Sequence, residues 1–307
     1  MKNFKRKLAV GTIITGLTFS AFGNTLPIYA ESNSHVEDIF KYLDNDNTRL
    51  FDDHKPGLYD DYKKHSTEIN LTKESNGIKV TINEAVFDGK TVFFTYTIES
   101  KRDLGKRPNL DDSADIVGAI KESGTTQIAK IDNNTYVGLE TISNVDGEIA
   151  TAANVKWEIN SFFNRETKKQ YNGKWKFDFA INALDNKMIV VNDSTEQNGV
   201  KITVEKILVT PMSFIVYYNE KIDENVINKW DDIDANRFEL KDDLGNSYLS
   251  EYNSGWRDGE YKTNWSRTFE TIDPNATKLI ISPKATFYSD PDKQKDIQLD
   301  DIIIKLK

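Results

Sequence analysis

The stretch Asn-Gly-Ile-Lys-Val-Thr-Ile at Asn76–Ile82 returns as Asn-Gly-Val-Lys-Ile-Thr-Val at Asn198–Val204, 122 positions later. In both copies apolar and polar side chains alternate, which is the two-residue period of a half-buried β-strand. Asp88-Gly89 then marks a tight hairpin, because both residues tolerate positive φ. An aromatic strand follows each copy, at Val92–Ile98 and Phe214–Tyr218. The repeat therefore predicts two related β domains that begin with the same hairpin.

Further strand candidates follow, separated by clusters of Asn, Asp and Gly. In the first domain they are Gln127–Ile131, Tyr136–Ile142, Val155–Phe163 and Trp175–Ile181; in the second they are Arg237–Leu240, Ser247–Leu249, Trp265–Phe269, Leu279–Ser282 and Ile297–Ile304. Asp242–Asn246 is interpreted as a hairpin loop between two of them. Short strands at roughly ten-residue spacing, in units of about 115–120 residues, predict an all-β chain of two β-sandwiches.

The first thirty residues have the layout of a secretory signal peptide. Four basic residues lie within positions 2–7, the apolar run Leu8–Phe22 follows, and a small residue, Ala30, closes the segment. This order predicts residues 1–30 as a signal peptide cleaved after Ala30. The alternative is an uncleaved anchor, but fifteen helical residues span about 23 Å against about 30 Å of hydrocarbon. Cleavage is therefore favoured.

Residues 31–69 form the predicted linker between the signal peptide and the first domain. Apolar residues at helical spacing predict a short helix over 35–43, and a second helix is expected over 58–64. We expect these helices to fold back onto the first domain; the alternative is an arm that binds a partner. The first β-sandwich domain is then 70–191 and the second is 192–307, with the boundary at the polar stretch Asn192–Thr195.

Composition limits the chemistry. The 307 residues include no cysteine and three histidines, His35, His54 and His65, which excludes thiol catalysis, disulfides and Cys-ligated zinc. A net charge of −9 argues against nucleic-acid binding. No histidine follows residue 65, so no Ser-His-Asp order is visible in the β domains, and no phosphate-binding glycine loop occurs. We predict no catalytic residues, no cofactor and no metal site; alternating Asp232 and Asp234 lack the glycine and distal glutamate of an EF-hand loop.

Trp256, Tyr261 and Trp265 are the candidate residues for contact with a ligand or partner. They lie in a turn-rich stretch with Gly255 and Gly259. Exposed aromatic rings can stack on sugars or anchor a protein partner. The alternative is that one or two of them pack beneath the loop as core. The other tryptophans are expected in the core or at packed edges: Trp157, Trp175 and Trp230.

The chain resembles bacterial envelope proteins that carry the domain of unknown function 4179 followed by a C-terminal companion domain. The matching stretches are Asn76–Ala85, Asp88-Gly89, Phe94–Thr97, Asp132–Tyr136, Gly173–Phe177 and, for the companion domain, Leu240–Asn246. The resemblance implies immunoglobulin-like sandwiches displayed outside the membrane. Many relatives have an N-terminal part that resembles an anti-sigma factor. Only seven residues precede the apolar run here, so the resemblance carries over the exported half alone.

Together these features predict a non-catalytic exported protein of a Gram-positive cell envelope, which acts as a binding or sensing module. The expected location is secreted or extracytoplasmic, with no transmembrane span in the mature chain. An envelope protein or a wall polymer is the expected class of partner, and nucleic acid is not. The alternatives are a glycan-binding or adhesion module centred on Trp256 and Trp265 and, less favoured, a cell-wall hydrolase.

Overall fold

The computed structural model of the chain describes residues 62–119, 122–144, 149–248, 250–290 and 293–307. The predicted signal peptide and the linker before Tyr62 lie outside these residues. The described part begins with a short helix, α1 (Tyr62–His65), which overlaps the second predicted linker helix. From Thr67 onward the described chain is almost entirely antiparallel β-structure.

The first domain contains two antiparallel sheets. Its strands are β1 (Thr67–Ser75), β2 (Ile78–Phe87), β3 (Thr91–Ser100), β4 (Asn109–Ile116), β5 (Glu122–Lys130), β6 (Thr135–Asn144), β7 (Ala152–Asn164) and β8 (Lys169–Asn182). One sheet has the order β1-β2-β3-β6-β5 and the other the order β4-β7-β8. Without β1, this is the four-on-three strand arrangement of a constant-type immunoglobulin domain. Strand β1 is an additional edge strand beside β2.

The second domain repeats this topology. Its elements are β9 (Lys187–Gln197), β10 (Val200–Val209), β11 (Phe214–Ile222), α2 (Glu224–Ile227), β12 (Asp232–Asp242), β13 (Ser247–Tyr248), β14 (Ser250–Arg257), β15 (Lys262–Phe269), β16 (Lys278–Asp290), β17 (Lys293–Gln298) and β18 (Ile302–Lys305). The first sheet has the order β9-β10-β11-β15-β14, and the second has β13-β12-β16-β17 with β18 also paired to β16. The predicted fold class of two tandem immunoglobulin-like sandwiches is confirmed.

The repeated sequence corresponds to a repeated turn. Asn76 and Gly77 connect β1 to β2 with φ values of 53° and 76°, and Asn198 and Gly199 connect β9 to β10 with 52° and 75°. Two successive residues with positive φ define a type I′ turn, whose twist matches that of the strands it joins. The two copies of the sequence therefore form the same type of hairpin in the two domains.

Strands β1 and β9 also share a bulge at an asparagine in the left-handed region. Asn70 has a φ of 50° and Asn192 a φ of 56°, and the pairing register shifts at both positions. The boundary predicted at residues 191 and 192 falls at the second bulge. Because β9 pairs with β10 on both sides of that bulge, residues 187–197 lie in the first sheet of the second domain.

The core of the first domain is aromatic. Trp157 and Trp175 are fully buried between the two sheets, as predicted. Trp157 stacks on Phe177 with ring centroids 5.4 Å apart and meets Phe94 edge-on at 5.2 Å. The predicted alternation of Trp175, Phe177 and Phe179 along β8 places all three side chains in this core. Such ring pairs add about 0.5–1.5 kcal/mol each beyond the burial of their area.

The second domain has its own core between its two sheets. Phe214 of β11 and Phe269 of β15 stack at 5.0 Å, and Tyr248 meets Phe214 edge-on at 5.4 Å. Trp230 is half-buried at the margin, where its ring lies 5.3 Å from that of Phe287. Each domain therefore has its own apolar core.

The two domains pack through the outer faces of their first sheets. Val86, Phe93 and Leu139 of the first domain form one apolar cluster with Tyr62 and Met212. A second cluster joins Ile149 of the first domain to three residues of the second, Leu208, Ile215 and Tyr217. Both clusters lie on the side of each sheet that faces away from its own core. We call this contact the domain junction.

Candidate functional site

The outer face of the second domain's first sheet is covered by the domain junction at one end and open at the other. Because side chains alternate along a strand, the pairing register assigns every residue of this sheet to one of its two faces. Val204 and Tyr218 are buried in the core and paired with each other, so the residues one position away from them point outward. Two rows of outward side chains cross the open part of the face.

The lysine row consists of Lys201 on β10, Lys221 on β11 and Lys262 on β15. Lys201 lies directly opposite Lys221, and Lys221 lies directly opposite Lys262. Lys262 forms an ion pair with Asp258 at 3.0 Å. Neither Lys201 nor Lys221 forms an ion pair with any residue that the structure describes, although Glu196 is the cross-strand neighbour of Lys201 on β9. Like charges directly opposite each other destabilise a sheet.

The polar row runs beside the lysine row and consists of Thr203, Asn219, Asn264 and Trp256 in cross-strand order. All four side chains are half-buried. The amide of Asn219 donates to Oε1 of Glu205 at 2.8 Å, and the amide of Asn264 donates to Oδ2 of Asp258 at 3.2 Å. These bonds hold the two amides in place while leaving further donor and acceptor capacity on each.

Where the domain junction meets the polar row, two ammonium groups lie close to aromatic rings. The Lys90 ammonium, carried by the β2–β3 hairpin of the first domain, donates to Oγ of Ser266. It lies 5.1 Å from the ring centre of Tyr217 and 6.0 Å from that of Trp256. The Lys206 ammonium lies 4.9 Å from the same Tyr217 ring. Burial raises the pKa of the Tyr217 hydroxyl, so this group remains a neutral phenol.

Asp88 shapes the hairpin that carries Lys90. Its Oδ1 accepts hydrogen bonds from the backbone N–H groups of Lys90 at 2.8 Å and Thr91 at 2.6 Å. Burial raises the pKa of the Asp88 carboxyl to about 6, although these bonds and the Lys90 charge favour the ionised form. The adjacent Gly89 has a φ of 98°, and a side chain there would meet Ile149 and Leu208 across the junction.

The structure separates the three aromatic residues that the sequence analysis put together. Trp256 lies on the outer face, in the polar row. Trp265 lies on the inner face, where its ring covers Gly255 and packs against the second core. Tyr261 lies at the tip of the β14–β15 hairpin, and its carbonyl accepts a hydrogen bond from Ile222 N–H at 3.0 Å. Trp256 and Trp265 therefore cannot contact one ligand from the same surface.

The N-terminal residues 1–100 match the model of a "Domain of unknown function (DUF4179)", and residues 186–306 match a "Family of unknown function (DUF5643)". A solved structure described as the conserved domain protein from Bacillus anthracis is similar over both domains. It is 36% identical, covers 84% of this chain and 98% of its own, and superposes with a TM-score of 0.77. The chain belongs to this DUF4179–DUF5643 family.

Other likenesses are remote. Bovine butyrophilin is 8% identical over 69% of this chain and 92% of its own, and the collagen adhesin CNA from S. aureus is 10% identical over 76% and 95%. Both have a TM-score of 0.17, at which neither likeness supports an inference. No curated protein shows significant similarity to the chain. Membership of the DUF4179–DUF5643 family gives the order of the two domains, and both family descriptions state that the function is unknown.

The first domain of this DUF4179–DUF5643 protein encloses a carboxyl group that sequence reasoning missed. Glu140 faces the core from β6 and is 5% exposed. Burial, together with the nearby charge of Asp112, raises the pKa of Glu140 to about 9. The Trp157 indole donates to Oδ2 of Asp112 at 2.7 Å. Because the Glu140 side chain points between the sheets, we assign it to the packing of the first domain.

Metal-binding clusters and membrane-spanning helices were considered among the residues that the structure describes. They contain no group of three or more His, Cys, Asp or Glu side chains arranged to hold a metal ion. In particular, Asp234 is paired with Arg237 at 2.7 Å. None of the helices in the described part of this DUF4179–DUF5643 chain is long and apolar enough to cross a membrane.

Proposed function

We propose that the protein is a non-catalytic, exported protein of the cell envelope, which binds a partner through the outer face of the second domain. The basic, apolar and small-residue order of residues 1–30 supports export. The absence of cysteine in the sequence fits a Gram-positive envelope. The domain junction supports a binding role, because it fixes the first domain as a wall beside the open part of the face.

The observation that carries this proposal is the lysine row. Lys201 and Lys221 lie opposite each other without an ion pair to any described residue, and Lys262 extends the row. A like-charge pair of this kind costs roughly 0.2–1 kcal/mol relative to a neutral pair. The arrangement is better explained by a partner that neutralises the row than by the stability of the domain itself.

The alternative of a glycan-binding module centred on Trp256 and Trp265 has less support. A sugar ring stacks on an aromatic face that is exposed to solvent. Trp265 packs inward over Gly255, and Trp256 points outward, so the two rings do not form one platform. Trp256 alone remains available on the proposed surface.

Co-sedimentation with isolated envelopes of a Gram-positive bacterium tests the proposal. We expect the purified protein to sediment with the envelopes and the Trp256→Ala variant to sediment less. Leu244→Ala, an exposed apolar residue in the β12–β13 loop, is the matched control and should bind like the wild type. Failure of the wild type to sediment, or equal sedimentation of all three proteins, would contradict binding through this face. Release of soluble sugar or peptide from the envelopes would contradict the non-catalytic assignment.

A further inference from the structure

We propose that the open face binds a linear phosphate polymer, laid along the lysine row and therefore across the strands. This inference rests on the proposed function and names the chemistry of the partner. It is carried by the juxtaposition of three cross-strand lysines, a parallel row of hydrogen-bonding side chains and a wall formed by the first domain.

The spacing of the lysine row suits a chain with repeating anionic groups. Neighbouring strands lie about 4.8 Å apart, so three adjacent strands place their outward side chains across about 10 Å. A polymer that crosses the strands meets one ammonium group on each of β10, β11 and β15. Lys221 occupies the middle position and is exposed, with lysine on both sides.

The type of cation suits a phosphodiester chain. Arginine holds carboxylate and phosphate groups alike through two parallel hydrogen bonds, whereas lysine binds phosphate as a point charge and fixes no single orientation of the anion. Arg257 on β14 and Arg267 on β15 lie opposite Thr263 and Val216 in the pairing register, which places both arginines on the other face of the sheet. Arg267 is buried there, with its guanidinium 4.5 Å from the ring centre of Phe238. The outward cations of β10, β11 and β15 are all lysines.

The polar row supplies contacts for the uncharged parts of such a polymer. Thr203, Asn219 and Asn264 present hydroxyl and amide groups beside the ammonium groups. Trp256 ends the row on β14 and offers an apolar ring to a carbon backbone. The two rows together can bind alternating charged and neutral units.

The first domain covers one end of the face and leaves the lysine row accessible. Leu208, Ile215 and Tyr217 belong to the same outer face and form an apolar cluster with Ile149 of the first domain. The lysine row lies toward the other end of the strands, beyond the polar row. The net charge of −9 repels a polyanion from most of the remaining surface, which localises it at the row.

Titration with inorganic polyphosphate, followed by calorimetry, tests the inference. The decisive variant is Lys201→Gln combined with Lys221→Gln. We expect it to weaken binding by about tenfold, the loss expected when two surface charge contacts are removed. The slope of log K against log salt concentration should fall by about 2, one for each lysine. Neither substitution removes an ion pair with a described residue, so the variant should fold like the wild type.

The matched control is a second pair of directly opposed lysines in the same domain, Lys278 and Lys305, on the outer face of the other sheet. Changing both to glutamine alters the net charge equally and should leave polyphosphate binding intact. An equal loss in this control would overturn the inference, because binding would then follow net charge alone.

Further binding experiments distinguish a phosphate polymer from other possible occupants of the face. Equal affinity for polyglutamate would overturn the choice of phosphate. Binding to phosphatidylglycerol vesicles that requires Lys201 and Lys221, without binding to polyphosphate, would replace the polymer by a membrane. Self-association in sedimentation velocity that the double variant abolishes would replace it by a second copy of the chain. Envelope binding that survives in the double variant but is lost in Trp256→Ala would overturn this inference and leave binding through the outer face standing.

Discussion

Glu140 makes the stability of the first domain depend on pH. Its pKa is raised by burial from 4.5 to about 9, so the folded state holds the proton more tightly than the unfolded state does. The free energy of unfolding should therefore decrease as the pH rises from about 4.5 to about 9, and become level above that. Glu140→Gln keeps a neutral group of similar shape and should remove this decrease.

Urea unfolding of the wild type and the Glu140→Gln variant at pH 5, 7 and 9 measures the effect. The two proteins should be closest in stability at pH 5, and the variant should be the more stable protein at pH 9. Parallel pH profiles would show that Glu140 is already ionised in the folded state. Glu158, which is half-buried and paired with Lys176, is the matched Glu→Gln control.

Asp88 gives a second prediction about a buried carboxyl group. Burial raises its pKa from 3.8 to about 6, so the contribution of this group to the free energy of unfolding decreases as the pH rises from about 3.8 to about 6 and is lost above that. Asp88→Asn keeps the oxygen that accepts from Lys90 and Thr91 and should match or exceed the wild-type melting temperature at pH 7.5.

Asp88→Ala removes both of those hydrogen bonds and should cost about 1–3 kcal/mol, because two buried N–H groups lose their acceptor. Differential scanning calorimetry at pH 7.5 compares the three proteins. If Asn and Ala were equally destabilising, the charge of Asp88 beside Lys90, rather than its acceptor oxygen, would hold the hairpin in place.

The strands that the sequence pattern missed all lie at the edges of sheets, although the edge strands β5, β8 and β13 were predicted. Residues 78–82 and 175–181 alternate clearly, because one face of each strand points into a core, and residues 92–98 are rich in β-branched and aromatic residues. The strands missed by pattern are β1, β4, β9 and β14, and each is at the edge of its sheet. An edge strand is more exposed and its apolar period is weaker, as the polar stretch Asn192–Thr195 inside β9 illustrates.

The candidate site could be predicted only in part. Trp256 was identified from its turn-rich surroundings, and it does lie on the open face. The lysine row was not visible, because Lys201, Lys221 and Lys262 become neighbours only through the pairing of three strands, and sequence alone does not set that register. For the same reason Trp256 and Trp265 were grouped together although they occupy opposite faces.

The two type I′ turns provide a matched pair of glycines. Gly77 and Gly199 have nearly the same φ, 76° and 75°. A Cβ at Gly77 would meet nothing within 4 Å, whereas at Gly199 it would lie 2.5 Å from the Val226 side chain. Gly77→Ala should cost about 1–2 kcal/mol from backbone strain alone. Gly199→Ala should cost more in urea unfolding, and equal costs would show that α2 moves freely to make room.

The junction should make the two domains behave as one body. Met212 is 7% exposed and contacts the first domain, while neither domain core includes it. Met212→Asp buries a charge at the junction without touching either core. We expect two unfolding transitions in place of one and a larger radius of gyration by small-angle scattering. Leu244→Asp introduces the same charge at an exposed site and should leave both measurements unchanged.

Tyr62 gives the molecule a mechanical property. Its ring is fully buried in the cluster that joins the two sandwiches, and its hydroxyl donates to the Glu84 carbonyl at 2.9 Å. A pull on the chain before Tyr62 would first have to extract this ring, and the load would reach both sandwiches at once. The first hairpin of the first domain would then not be the first part to unfold under force. The force needed would be set by the packing of this one aromatic ring in the domain junction.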